Sequence, residues 1–176
     1  MEKKKGSPID VGAAGRANDA GNAAPIPLRS GEVVDANALG GVANILGDLT
    51  ILVVEDDPDS RELMQAALEQ RGARVFSAES VARAFELLQG MLPNLIISDI
   101  AMPEEDGLAL IRRLRALAPE AGGQIPAIAV SAYVASSDRS RALAAGFDQY
   151  LHKPVDFDEL ETAIDNVVNR NDQATA

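Results

Sequence analysis

A chain of 176 residues with 47% hydrophobic side chains can bury one core of ordinary size, since single domains commonly take about 100 to 200 residues. Its 16 basic and 27 acidic residues leave a net charge of -11, which argues against non-specific nucleic-acid binding, because phosphate attraction needs a basic face, so no nucleic acid is expected as a direct partner. Cysteine is absent, which excludes disulfides and thiolate metal sites, and no run approaches the roughly 18 apolar residues of a membrane span, so the expectation is a cytoplasmic protein with no membrane segment.

Residues 1–48 hold eight of the 14 glycines, three prolines and no aromatic residue. Such a composition cannot bury enough apolar surface to offset its ordering entropy, and a flexible or partly ordered tail or linker is expected. Within it Leu39, Val42, Ile45 and Leu46 recur at helical spacing, which allows a short docked helix interrupted by Gly40 and Gly41. The segment carries 5 basic and 6 acidic groups, so the acidity of the chain belongs to residues 49–176.

From Thr50 onward strand and helix signals alternate. Ile51-Leu52-Val53-Val54 is an unbroken apolar run, too short for a helix, as suits a strand covered on both faces. It ends in Glu55-Asp56-Asp57, where Asp57 can cap a helix whose first turn accepts Pro58. Leu63, Met64, Ala67 and Leu68 mark one face of that helix up to Gly72, and a second strand is expected at Arg74–Ser77. A helix over Ser80–Gln89 follows, with Val81, Ala84, Phe85 and Leu88 inward and Gly90 and Pro93 closing it. Leu95-Ile96-Ile97-Ser98-Asp99 is the third strand, and Leu108, Ile111, Leu114 and Leu117 give the third helix its apolar stripe. Ala127–Ser131, a short helix over Ser137–Ala145 and the strand Gln149–Leu151 come next. A final helix to about Asn169 opens on Asp156 and Glu159, spaced as a capping box. Parallel strands need right-handed crossovers, so the pattern predicts a doubly wound, flavodoxin-like α/β domain over residues 49–170, with five parallel strands and five helices and a disordered end at 171–176.

In open parallel sheets ligands collect outside the carboxyl ends of the strands. Glu55, Asp56 and Asp57 follow the first strand, Asp99 ends the third, Ser131 ends the fourth and Lys153 follows the fifth. Carboxylates brought that close repel one another and are normally tolerated around a hard divalent cation, for which Mg²⁺ is the natural candidate. An ammonium and a hydroxyl on the rim complete a site for a planar phosphoryl group: Lys153 and the cation on its oxygens, Ser131 donating a hydrogen bond, a carboxylate oxygen in line to attack. Singly each residue has a plainer role, Asp57 as a helix cap, Ser131 as a loop hydroxyl, Lys153 as a solvated charge and Tyr150 as a half-buried aromatic. Their convergence on one sheet edge favours chemistry.

Val53-Val54-Glu55-Asp56-Asp57-Pro58-Asp59, Ser98-Asp99 through Met102-Pro103 to Asp106-Gly107, Val130-Ser131-Ala132 and Lys153-Pro154 together resemble the receiver domain of bacterial two-component response regulators over residues 49–170. The resemblance implies that Asp99 accepts a phosphoryl group from a phosphohistidine of a sensor histidine kinase or a histidine phosphotransfer protein. It implies that Glu55 and Asp56 form the acidic pocket and that Mg²⁺ is bound by Asp56, Asp99 and the backbone carbonyl of Ala101. It assigns Lys153 to the phosphoryl group, Ser131 to the switch hydroxyl and Tyr150 to the switch aromatic, and it implies a cis bond before Pro154. Glu at 55, Ser at 131 and His152 are small departures, and Ala101 and Tyr133 occupy positions that in the family influence hydrolysis of the acyl phosphate. Residues 1–48 are too short and polar for an enzyme or DNA-binding module, so output by protein binding is expected, from a stand-alone receiver or from the terminal receiver of a hybrid sensor kinase. Two rivals stand beside this reading: an aspartate-nucleophile phosphatase, which needs a second acid where Ala101 stands, and a pseudo-receiver that binds partners without phosphorylation.

Overall fold

The computed structural model describes residues 45–132 and 135–174, the last five of these by backbone alone. The expected docked helix over Asp35–Leu46 and the position of Tyr133 fall wholly or largely outside the described residues. Five strands, β1 (Thr50–Val54), β2 (Arg74–Ala78), β3 (Leu95–Asp99), β4 (Ala127–Ser131) and β5 (Gln149–His152), form one parallel sheet in the order β2-β1-β3-β4-β5. Helices α1 (Pro58–Gln70), α2 (Val81–Gly90), α3 (Gly107–Arg115), α4 (Ser136–Ala145) and α5 (Phe157–Ala174) alternate with them, and a 3₁₀ turn, Pro119–Ala121, lies between α3 and β4. This is the doubly wound flavodoxin-like arrangement that the alternation predicts.

Alternation of side chains along the central strands divides the core into two layers. Ile51, Val53, Ile97 and Val130 pack with Met64, Leu68, Leu160 and Ile164 of α1 and α5. Leu52, Val54, Ile96 and Ala129 pack with residues of α2, α3 and α4 on the other face. Both faces are covered, which is why these strands are apolar up to the polar residues at their ends.

Local chemistry sets the helix ends. Asp57 caps α1 by accepting from Ser60 N at 2.8 Å with Pro58 in the first turn, and the accepted hydrogen bonds hold its carboxyl below the ordinary carboxylate value. Ser80 caps α2, Asp106 caps α3, and Asp156 accepts from Asp158 N and Glu159 N at the start of α5. Leu63, expected on the buried face of α1, is 63% exposed, because Met64 and Leu68 already fill the layer against α5. Phe85 is half-buried rather than inward, with the Arg113 guanidinium 4.3 Å from its ring centre. Leu46 is buried in the α1/α5 layer although it lies in a turn, its N–H bonded to Arg71 O at 3.0 Å. Among the described residues no helix is long and apolar enough to cross a membrane.

Candidate functional site

The strand order reverses direction between β1 and β3, the place where an open α/β sheet leaves a crevice. Register brings the carboxyl ends level: Val54 pairs with Ser98, Asp99 with Val130, and Ser131 with His152. The acidic loop after β1, Asp99 at the end of β3, Ser131 at the end of β4 and Lys153 after β5 therefore converge on one edge.

Lys153 joins them. Its Nζ donates to Glu55 Oε2 at 2.7 Å and to Asp99 Oδ2 at 2.7 Å, across 98 and 54 residues of sequence. Its backbone N–H bonds Ser131 O at 2.8 Å, and the next peptide, Lys153–Pro154, is cis as the resemblance implies. Burial acts to lower the Lys153 pKa, but the hydrogen bonds and charges of Asp99 and Glu55 outweigh it and hold the ammonium above its ordinary value. Burial is also the largest influence on Glu55 and raises its carboxyl, with repulsion from Asp99 adding and the Lys153 hydrogen bond opposing.

Glu55, Asp56 and Asp99 each offer a carboxylate oxygen, and these oxygens lie within 4.8 Å of one another. Glu55 and Asp99 are buried and Asp56 is partly exposed. Glu55 Oε1 is buried with no hydrogen-bond partner in the structure. An orphaned anionic oxygen inside a carboxylate cluster fits a hard divalent cation or its bound water, the group the donor chemistry selects. Ala101 is exposed on the wall of the same crevice and donates its N–H to Asp99 Oδ1 at 3.0 Å. Asp56, Ala101, Met102, Asp106 and Arg141 line a cavity of 820 Å³ that opens beside the acids and admits a small phosphate ester or a donor side chain.

Ser131 and Tyr150 are both buried. Strand alternation places Ser131 on the sheet face of Ala127 and Ala129, which is also the face of Tyr150. His152 is exposed, its ring edge-on to Tyr150 with centroids 5.2 Å apart, and it lies outside the acidic cluster. Asp57 serves α1 as a cap, as its plainer reading held.

Two contacts matter that the sequence does not reveal, one made by Arg61 and one at Gly107, a residue of the quoted motif. Arg61 donates from Nη1 to the carbonyls of Glu55 at 2.7 Å and Asp56 at 3.1 Å. Backbone oxygens carry no residue identity, so no sequence signal could have found this contact. Gly107 stands where a Cβ would lie 2.2 Å from Asp99 O and 2.9 Å from Ile100 Cα, and its N–H bonds Ile100 O at 3.0 Å. Gly107→Ala is therefore expected to displace the backbone of Asp99, to cost roughly 1–3 kcal/mol of stability in urea denaturation and to slow any reaction at Asp99. An alanine variant of wild-type stability and reactivity would show that this close approach is not required.

The fold and this edge define a class, and comparison with known proteins shows the same class. The chain belongs to the response regulator receiver domain family, whose model matches residues 51–165. It is thus a phosphoacceptor signalling domain of two-component systems, a family whose members take phosphoryl groups from histidine kinases. The chain is 50% identical over 115 residues to the 14.6 kDa protein of the sodA1 3'region of Leptolyngbya boryana, covering 65% of this chain and 86% of that one. It is 37% identical over 126 residues to the KDP operon transcriptional regulatory protein KdpE of Escherichia coli K12, 72% of this chain but only 54% of that protein. The chain thus spans about half the length of that regulator. Among solved structures, the receiver domain of sensor histidine kinase PA1611 from Pseudomonas aeruginosa PAO1 shares 30% identity at a TM-score of 0.63 over 69% of this chain and 98% of that one, and it holds a magnesium ion in its active-site cleft. The signal receiver domain of a histidine kinase from Syntrophus aciditrophicus matches at 31% identity and a TM-score of 0.63, over 69% of this chain and 90% of that one.

Proposed function

We propose that this receiver takes its phosphoryl group on Asp99, from a phosphohistidine of a sensor histidine kinase or a histidine phosphotransfer protein, and passes the signal on by binding another protein. The observation that carries this reading is the double contact of Lys153 Nζ with Glu55 and Asp99, both at 2.7 Å, beside the Asp56 carboxylate.

An oxygen of the Asp99 carboxylate bonds to phosphorus while the P–N bond of the donor phosphohistidine breaks. The bonding pair returns to the imidazole nitrogen, which is protonated from water, and Asp99 becomes an acyl phosphate. The Ala101 N–H on Oδ1 and the Lys153 ammonium on Oδ2 orient the carboxylate, and Lys153 is placed to follow the negative charge onto the phosphoryl oxygens. Ser131 donates its hydroxyl to one of those oxygens. Glu55, Asp56, Asp99 and the Ala101 carbonyl would hold Mg²⁺, which when bound supplies positive charge against the phosphoryl oxygens. Ser131 moving toward the phosphoryl group and Tyr150 following it on the same face would repack the surface of α4, β5 and α5, which a partner protein reads.

In this account the chain catalyses only its own phosphorylation and dephosphorylation. A phosphatase would need an acid at 101 to protonate the leaving group, and the side chain of Ala101 is a methyl. We place the receiver at 49–170, with 1–48 as a tail or linker, in a stand-alone regulator or at the end of a hybrid kinase. Incubation with Mg²⁺ and a small-molecule phosphodonor should raise the intact mass by one phosphoryl group, and EDTA should prevent it. An unchanged mass with Mg²⁺ present would contradict the proposal.

A further inference from the structure

We propose that Arg61 is a positioning residue whose guanidinium sets the Mg²⁺ affinity of the acidic pocket by holding the backbone of Glu55 and Asp56; this rests on the phosphoacceptor reading above. Arg61 lies in the first turns of α1, and one nitrogen, Nη1, serves the carbonyls of both residues, at 2.7 and 3.1 Å. Those carbonyls belong to two of the three residues whose carboxylates gather at the site.

The rest of the loop is fastened independently. Glu55 N bonds Ala78 O at 3.0 Å, the Asp57 carboxylate caps α1 through Ser60 N, and Asp57 O accepts Arg61 N at 3.0 Å. Through its side chain Arg61 adds the hold on the carbonyls of Glu55 and Asp56.

Lys153 and Arg61 divide the work. Lys153 occupies carboxylate oxygens of Glu55 and Asp99, the atoms that a metal or a phosphoryl group would also engage. Arg61 brings positive charge to the same loop through carbonyl oxygens, so it offsets the repulsion among the acids without taking a carboxylate oxygen. The planar fork of a guanidinium is rigid, so the loop is pre-organised for a cation. Residues that orient metal ligands from behind commonly change metal affinity about 10- to 100-fold when lost.

The test is calorimetric titration of Mg²⁺ into the full chain for wild type, Arg61→Gln and Arg61→Lys, each well below its own unfolding midpoint. The dissociation constant should rise about tenfold in Arg61→Gln and fall between the two in Arg61→Lys, which keeps the charge but loses the fork. Phosphorylation of Arg61→Gln by a small-molecule donor should be slow at limiting Mg²⁺ and return to within about threefold of wild type at saturation, as expected when binding rather than chemistry is impaired. An Arg61→Gln chain with a lowered unfolding midpoint and unchanged Mg²⁺ affinity would make Arg61 a structural brace and overturn the proposal, as would a rate that stays low at saturating Mg²⁺. A wild-type chain that binds no Mg²⁺ would instead remove the phosphoacceptor reading, and this proposal with it.

Discussion

Asp99→Asn should take up no phosphoryl group, with labelling lower than wild type by at least about 100-fold, since an amide oxygen is a poor nucleophile toward phosphorus. The substitution keeps the size of the side chain and leaves an oxygen for the Ala101 N–H or the Lys153 ammonium, so the fold is retained. Glu55 and Asp56 remain beside it as competing carboxylates. They are poor substitutes because Arg61 and Ala78 fix their loop in another position, at the end of β1. Equal labelling of Asp99→Asn and wild type, read by intact mass, would place the acceptor elsewhere.

Removing the divalent cation should leave an electrostatic penalty that Asp56→Asn relieves. At an effective dielectric of about 20, two unit charges roughly 5 Å apart repel by about 3 kcal/mol. Asp56 is partly exposed, so solvent screens much of this, and a gain of about 1 kcal/mol in EDTA is expected for Asp56→Asn. The same change should remove most of the stabilisation that Mg²⁺ gives wild type, because a proposed ligand has gone. Urea denaturation of both chains, with Mg²⁺ and with EDTA, measures each effect.

Glu55 adds a pH dependence of known sign. Burial, aided by repulsion from Asp99, raises its folded value above the ordinary 4.5, so the folded state takes the proton more readily than the unfolded chain. Its contribution favours the fold below that ordinary value and is lost as pH rises through the folded value. In EDTA wild type should therefore lose stability as pH rises through the folded value of Glu55, where the buried carboxylate that forms also meets the repulsion of Asp99. An Asp56→Asn chain less stable than wild type in EDTA, or one that keeps the full response to Mg²⁺, would contradict this account of the pocket.

The elements most legible in the sequence were those buried on both sides. β1, β3 and β4 declare themselves as short apolar runs because helices cover both faces of the sheet, and Asp57, Ser80 and Asp156 declare helix starts because each accepts backbone N–H groups. Ends without such chemistry were read less well. α5 runs to Ala174, past the expected end at about Asn169 and with no glycine or proline to stop it. Leu46 was ambiguous because what buries it comes from distant α1 and α5 rather than from its own segment. Within the site, side-chain chemistry was readable: the acids, Ser131 and Lys153 all reach one edge. Contacts made by backbone atoms were not, which is why the hold of Arg61 and the close approach at Gly107 emerge only from the three-dimensional arrangement.

The most direct measurement is transfer from a phosphohistidine-bearing histidine phosphotransfer protein to the full chain in Mg²⁺, followed by fragment mass spectrometry to place the phosphoryl group. The account predicts a single acid- and base-labile phosphoryl group on Asp99, absent in EDTA. A group found on His152 or on any other residue, or transfer that proceeds equally in EDTA, would contradict it.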